Sequence, residues 1–153
     1  MPTNLEKIEE AAREFFSKTG FSIDAIEINN TRDSAVFIGL KMDEPQILIG
    51  EGGQTLADIQ RLLKIIINKK FGPELSFYVD LDINDYKKKK AEYLREMAKS
   101  TADEVVLTKA EKLLPVMSAY DRRVVHVELA SRSDIITESI GDEPERRVII
   151  KLR

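Results

Sequence analysis

Apolar residues recur every three or four positions in four long segments of the chain. These segments are 4–18, 54–70, 85–108 and 118–130, and each predicts a helix with a buried face. Gly72 follows the second segment, and glycine just beyond the last apolar position is typical of a helix end. The chain is therefore expected to be rich in helices.

Shorter stretches alternate apolar and polar residues or contain runs of β-branched residues. They predict strands at 23–29, 35–42, 75–83, 135–140 and 147–152. The first two flank a turn rich in Asn and Asp and so predict a hairpin. The last two are joined by a turn that contains Gly and Pro, which predicts a second strand–turn–strand unit.

The order of these elements predicts an α+β protein built from two modules. The first, residues 1–83, is expected to run helix, strand, strand, short helix, glycine turn, helix, strand, with the short helix at 45–49. The second, residues 84–153, is expected to run helix, short edge strand at 112–116, helix, strand, strand. We find no internal repeat and no low-complexity linker, so the modules are expected to abut near residues 82–86.

Composition limits the classes of function. The chain has 153 residues, of which 42% are hydrophobic, and this is enough apolar material for a core. It has no cysteine and a single histidine, which excludes disulfides, thiolate metal sites and a multi-histidine metal site within one chain. No apolar run approaches the ~20 residues of a membrane-spanning helix, and the amino terminus lacks the order of a signal peptide. We expect a cytoplasmic protein without membrane insertion and without a cofactor.

Charge is distributed unevenly along the chain. The total is −3, whereas nucleic-acid binders usually carry a basic surplus. Residues 1–82 hold 9 basic and 14 acidic residues, a net −5, and residues 83–153 hold 15 basic and 13 acidic residues, a net +2. Attraction to phosphates is therefore expected mainly in the second half.

The first candidate site is the glycine cluster Gly50-Glu51-Gly52-Gly53, which lies between an apolar segment and a predicted helix. Glycine permits positive φ and lets main-chain N–H groups face a phosphate beside the positive end of the helix dipole. A Walker loop is excluded because no Gly-Lys-Ser/Thr follows, and a dinucleotide-binding turn because the third glycine is missing. Two interpretations stay open: a tight turn without a ligand, and a backbone clamp for single-stranded nucleic acid.

The second candidate site lies on the helix predicted at 118–130. Arg122 and His126 are four residues apart and so share a helix face, while Arg123 lies about 100° around the helix. A planar guanidinium suits phosphate oxygens, and an imidazole can stack on a base or donate to a phosphate. Taken by itself, an ordinary half-buried histidine is an equally good interpretation.

Residues 49–56 (IGEGGQTL) resemble the Gly-x-x-Gly stretch of KH domains, and the order of elements matches the type II arrangement (αββααβ). The family commonly has Lys or Arg where this chain has Glu51-Gly52. An anion beside a phosphate is unfavourable, so this clamp is expected to be weak or to rely on main-chain groups. The resemblance implies nucleic-acid contacts by Gly50, Glu51, Gly52, Gly53 and Gln54.

Residues 118–126 (SAYDRRVVH) resemble the signature of the Arg-x-x-x-His (R-3H) domain, a small α+β single-strand-binding module. Residues 137–148 resemble the strand–turn–strand that completes this domain. KH followed by R-3H is similar to the Jag (SpoIIIJ-associated, KhpB) family of bacterial RNA-binding proteins, and the resemblance covers nearly the whole chain. The contacts that it implies here are Arg122, Arg123, His126, Arg146 and Arg147.

The resemblance implies a non-enzymatic cytoplasmic regulator that binds single-stranded RNA, or single-stranded DNA, through both modules. It further implies a small KH-only protein partner and a role in cell elongation and division, with homodimerisation left open. Many members carry an additional amino-terminal Jag domain, and this chain begins almost directly at the KH helix, so that domain's role is not carried over. Other basic residues are candidates for a phosphate track, although a charge run is more often a solvated face: Lys87, Lys88, Lys89, Lys90, Arg132, Lys151 and Arg153.

An alternative is a protein-interaction scaffold in cell-envelope or division regulation with weak or lost nucleic-acid binding. Glu51 and the net −5 of the first half favour this alternative. An enzyme that uses carboxylates is a poor interpretation. Pairs such as Asp80 with Asp82, and Glu143 with Glu145, lie on alternate strand positions or in turns without a base and nucleophile in reach.

Overall fold

The computed structural model describes residues 4–31, 35–73 and 77–153. The chain divides into two compact units, Met1–Tyr86 and Lys87–Arg153. Each unit has its own three-stranded sheet and its own hydrophobic core. The class is α+β, as predicted. The proposed module boundary between residues 83 and 84 stays a prediction.

The first unit has the predicted order of elements. They are α1 (Asn4–Lys18), β1 (Ala25–Thr31), β2 (Ala35–Lys41), α2 (Gln46–Ile49), a 3-10 turn (Glu51–Gly53), α3 (Gln54–Phe71) and β3 (Tyr78–Ile83). Three of the apolar residues that predicted α1 are buried, namely Ile8, Ala12 and Phe16. The run of β-branched and apolar residues that predicted a strand at 35–42 forms β2, in which Val36, Ile38 and Leu40 are buried in turn.

The sheet of the first unit has the order β1-β2-β3. Strand β2 runs antiparallel to β1 and parallel to β3, so one sheet contains both kinds of pairing. The buried residues of the strands form one core with those of α1 and α3. Leu48 before the glycine turn and Leu56 after it both belong to this core, which anchors the turn at each end.

Strand β1 lies two residues later than predicted, at 25–31 instead of 23–29. Its limits follow from its partner, because the register runs from Ala25 opposite Lys41 to Thr31 opposite Ala35. Pairing with another strand is not visible in local periodicity. Parts of two predictions, residues 32–33 of the hairpin turn and residues 75–76 of the third strand, lie outside the described residues.

The second unit contains two helices and three strands. They are α4 (Tyr86–Thr108, which begins at the last residue of the first unit), β4 (Lys112–Leu113), α5 (Ala119–Leu129), β5 (Ile135–Ile140) and β6 (Arg147–Leu152). The sheet order is β4-β6-β5, and both pairings are antiparallel. Its core joins alanines of α4 to Val125 of α5 and to Val148 and Ile150 of β6. No helix in the described ranges is long and apolar enough to span a membrane.

Strand β4 is shorter than the predicted 112–116, because the register with β6 shifts by one residue between Leu114 and Met117. The chain nevertheless continues along β6. The N–H of Leu114 donates to the carbonyl of Val148 at 2.9 Å, and the N–H of Met117 donates to the carbonyl of Arg146 at 3.2 Å. These bonds bring the segment before α5 against the start of β6.

Candidate nucleic-acid interface

The glycine turn requires glycine at three positions for backbone reasons. Gly50 has φ 71° and ψ 179°, which is a region that residues with a Cβ essentially do not occupy. Gly52 (φ 60°, ψ 14°) and Gly53 (φ 82°, ψ 13°) are left-handed. The N–H of Gly53 donates to the carbonyl of Gly50 at 3.2 Å, which closes the turn.

The three glycines differ in what surrounds them. A Cβ on Gly50 would collide with the side chain of Thr55, and a Cβ on Gly53 would lie 2.9 Å from the ring of Tyr86. A Cβ on Gly52 would meet nothing within 4 Å. Gly50 and Gly53 are therefore packed from within the unit, whereas the side-chain position of Gly52 faces open space.

The turn opens the 18-residue helix α3. No side chain caps the N-terminus of this helix, so the positive end of its dipole is not compensated by a capping oxygen. Acidic groups lie near it: Glu51 is exposed within the turn, and the amide nitrogen of Gln54 donates to the carboxylate of Asp58 at 3.0 Å. The positive end of the helix dipole at the turn therefore attracts an anion, whereas the exposed carboxylate of Glu51 repels it.

In the second unit, Arg122 is directed inward. Helix α5 is capped by Ser118, whose Oγ accepts from the N–H of Asp121 at 3.2 Å, as predicted. The guanidinium of Arg122 donates to the carbonyl of Met117 at 2.9 Å and to the carboxylate of Glu143 at 2.7 Å. The residue is only 7% exposed, so its guanidinium interacts mainly with these two partners and little with solvent.

His126 lies on the same face of α5 and is bound to strand β5. Its Nδ1 is 2.7 Å from Oγ1 of Thr137, and its Nε2 is 2.8 Å from Oγ of Ser139. Burial and the nearby charge of Arg122 lower the pKa of His126. A neutral imidazole has one donor and one acceptor nitrogen, which two hydroxyl groups satisfy.

The structure thus brings Arg122 and His126 together on one face but gives both of them partners within the unit. Arg123 is exposed on another side of the helix. Arg146 and Arg147 are half-buried at the start of β6, and the Nε of Arg146 is buried without a hydrogen-bond partner among the described residues.

Several residues of the predicted phosphate track are held in ion pairs instead of standing free. Lys90 is 2.9 Å from Asp121, and Lys151 is 3.0 Å from Glu138. Arg132 bridges two carboxylates, those of Asp103 and Asp134, at 2.6 and 2.7 Å. The basic surplus of the second half is therefore partly neutralised by its own acidic residues.

Three residues that shape this site were missed as site residues. Glu143 carries no local signal, because it stands in an acidic turn and meets Arg122 only through the folding of the β5–β6 connection. Thr137 and Ser139 do carry a signal, since hydroxyl residues two apart on a strand point to the same face. In the candidate site of the second unit, side chains of α5 are therefore hydrogen-bonded to β5 and to the turn between β5 and β6.

Comparison with known proteins agrees with this architecture. The KH domain model matches residues 6–91, and the R-3H domain model matches residues 92–152. An RNA-binding protein KhpB of Clostridium symbiosum is 35% identical over 153 residues, which covers 97% of this chain and 68% of that protein. The chain belongs to the KhpB family. The predicted family is thereby confirmed.

The chain is also similar to KhpB proteins of two other organisms. The RNA-binding protein KhpB of Lactiplantibacillus plantarum is 34% identical over 107 residues, which covers 70% of this chain and 33% of that protein. The KhpB of Streptococcus pneumoniae serotype 2 is 29% identical over 154 residues, covering 97% of this chain and 46% of that protein. The chain thus spans between a third and about two thirds of the length of these curated relatives.

We predict that Gly50→Ala destabilises the first unit more than Gly52→Ala does. Both changes place a side chain at positive φ, at about 1–3 kcal/mol each, but only the alanine at residue 50 also meets Thr55. Urea unfolding followed by circular dichroism measures the two free energies. Equal losses would show that the contact with Thr55 is unimportant.

We predict that Arg122→Ala lowers the free energy of unfolding by about 1.5–3 kcal/mol, because it removes charge-assisted hydrogen bonds in a buried position. The matched control is Arg123→Ala, a change of the same residue type at the neighbouring exposed position. This change should alter the free energy of unfolding by about 0.5 kcal/mol or less. The measurement is again urea unfolding. A similar loss in both variants would contradict an internal role for Arg122.

We predict that stability falls on acidification through His126. Its folded pKa lies below its unfolded value of ~6.5, so the unfolded chain binds the proton more readily. The stabilisation is present above the unfolded pKa and is lost as pH falls through the folded pKa. Since this is the one histidine of the chain, His126→Gln should flatten the change in melting temperature between about pH 7 and about pH 5. An unchanged slope would refute the assignment.

Proposed function

We propose that this chain binds single-stranded RNA through both units. The strongest support for this proposal is the glycine turn. A side chain at Gly52 would meet nothing within 4 Å, and an 18-residue helix without a side-chain cap begins two residues later, at Gln54. The positive end of the helix dipole then attracts phosphate oxygens, while Gly50 and Gly53 hold the turn in shape. The relatives named above are RNA-binding proteins, which supports the same conclusion.

In this proposal, the contacts of the first unit are those of residues 50–54. Glu51 is the unfavourable member, since its carboxylate is exposed beside the incoming phosphate. Gln54 has internal partners at both groups, since its side-chain amide donates to Asp58 and its main-chain N–H donates to the carbonyl of Glu51. The first unit is therefore expected to bind weakly and with little sequence preference.

The proposed contacts of the second unit are Arg122, Arg123, His126, Arg146 and Arg147. Arg122 reaches a phosphate only in exchange for Glu143, whose side chain is 59% exposed and open to competition from another anion. Arg123 needs no such exchange, because it is already exposed. Two weak sites on one chain raise the overall affinity through effective concentration.

Finer points of the proposal follow from the family and from chemistry. We include a regulatory role without catalysis, a cytoplasmic location, and a small KH-only protein as partner. The residues that the structure describes contain no cluster of three or more carboxylate or histidine ligands for a metal ion. Single-stranded DNA is the competing ligand, and a 2′-hydroxyl contact would distinguish it from RNA.

The test is fluorescence anisotropy with a labelled single-stranded RNA of about 12 nucleotides and the matching DNA, between about 50 and about 200 mM salt. We expect binding at low salt and a linear fall of log K with log salt. Absence of binding at low salt, together with protein capture that survives nuclease treatment, would replace RNA binding by the scaffold alternative.

We predict that Glu51→Lys strengthens RNA binding. The change removes an anion and adds a cation beside the proposed phosphate position, so the salt slope should steepen by about 0.7, the value for one phosphate contact on a single strand. Glu6→Lys, the same change of charge at an exposed residue of α1, is the matched control. Equal gains in both variants would indicate a general charge effect and no clamp at the turn.

A further inference from the structure

Helix α5 has an exposed side that the internal contacts of Arg122 and His126 leave unused. We call Tyr120, Arg123 and Val127 the outer stripe. Tyr120 is 70% exposed and Val127 66% exposed, and Arg123 is exposed between them. An aromatic ring and a branched apolar side chain held in water on one helix have no role in the core of the unit.

Helical geometry places these three side chains together. At about 100° per residue, Tyr120 and Val127 lie within about 20° of each other, and Arg123 lies about 60° from Tyr120. Arg122 lies about 160° from Tyr120, on the side that meets Glu143. The outer stripe and the buried pair therefore occupy different sides of one helix, and the stripe extends over about 10 Å.

The charges around the stripe favour a polyanion. Among the described residues, none forms an ion pair or side-chain hydrogen bond with Arg123. The two carboxylates of α5 are both compensated, since Asp121 lies 2.9 Å from Lys90 and Glu128 lies 3.3 Å from Lys99. The helix thus presents one unpaired cation beside an aromatic ring, and its anions are neutralised.

We propose that the outer stripe is a further surface of the second unit that holds single-stranded RNA, in addition to the side of α5 that carries Arg122. The ring of Tyr120 stacks on a base, the guanidinium of Arg123 binds the adjacent phosphate, and Val127 contacts the next base or sugar. This inference rests on the proposed function and adds an RNA contact on the side of α5 formed by Tyr120, Arg123 and Val127. Stacking on an aromatic ring tolerates every base, so the stripe gives affinity without sequence preference.

The experiment separates stacking from charge with two ligands of equal length, a labelled RNA 12-mer and an oligomer of the same backbone without bases. Tyr120→Ala should weaken binding to the RNA by about fivefold or more and leave binding to the baseless oligomer unchanged. Tyr120→Phe should retain RNA binding. Arg123→Ala should weaken binding to both ligands and reduce the salt slope by about 0.7.

Two exposed residues elsewhere serve as matched controls. Tyr93→Ala removes an equally exposed tyrosine from α4, and Lys18→Ala removes one positive charge from α1. Wild-type binding that persists undiminished in Tyr120→Ala and Arg123→Ala would overturn the outer stripe and leave RNA binding in place. An equal loss in Tyr93→Ala would also overturn it. No binding by the wild-type chain would overturn the proposed function itself.

Discussion

The arrangement of the second unit depends on one buried guanidinium. Arg122 joins the segment before α5, through the carbonyl of Met117, to the β5–β6 connection, through the carboxylate of Glu143. A buried guanidinium without partners is very costly, so these three parts of the chain must come together whenever α5 packs on the sheet. His126 adds a second fastening one turn later, to Thr137 and Ser139 of β5.

This arrangement changes what the Arg-x-x-x-His spacing means. Two side chains four residues apart share a helix face, and here that face looks onto the sheet. The pair therefore sets the position of the helix, and what the helix presents to solvent is decided by the residues on its other side. The neighbouring residues Arg122 and Arg123 have the same side chain but different surroundings, since Arg122 is buried and Arg123 is exposed.

Backbone geometry sets the conformation of the glycine turn, whereas side-chain contacts set the position of α5. Its three positive φ angles exclude most other residues, and Leu48 and Leu56 fix its two ends in the core. Charge has little part in this geometry, and Glu51 works against an anionic ligand. The net −5 of the first half is compatible with RNA binding only if main-chain dipoles supply the attraction, because they persist whatever the side chains carry.

Much of the fold could be predicted from local patterns. Local patterns predicted the helices at 4–18 and 54–70, the strands β2 and β3 and the cap at Ser118, because each depends on residues a few positions apart. The motifs at Gly50 and Arg122 were enough to predict the family. The limits of β1 and β4 were not determined locally, since the register with their partner strands sets them.

Only the tertiary structure decided which cations are available. Composition gives the second half a basic surplus, yet Lys90, Arg132 and Lys151 are paired with carboxylates distant in sequence, and Arg122 is paired with Glu143. Such pairs form through the packing of elements on one another, and a charge count along the chain cannot show them. The sequence by itself determined the elements, the two modules and the candidate motifs. The three-dimensional packing decided which side of α5 is buried, because burial is a property of neighbours in space.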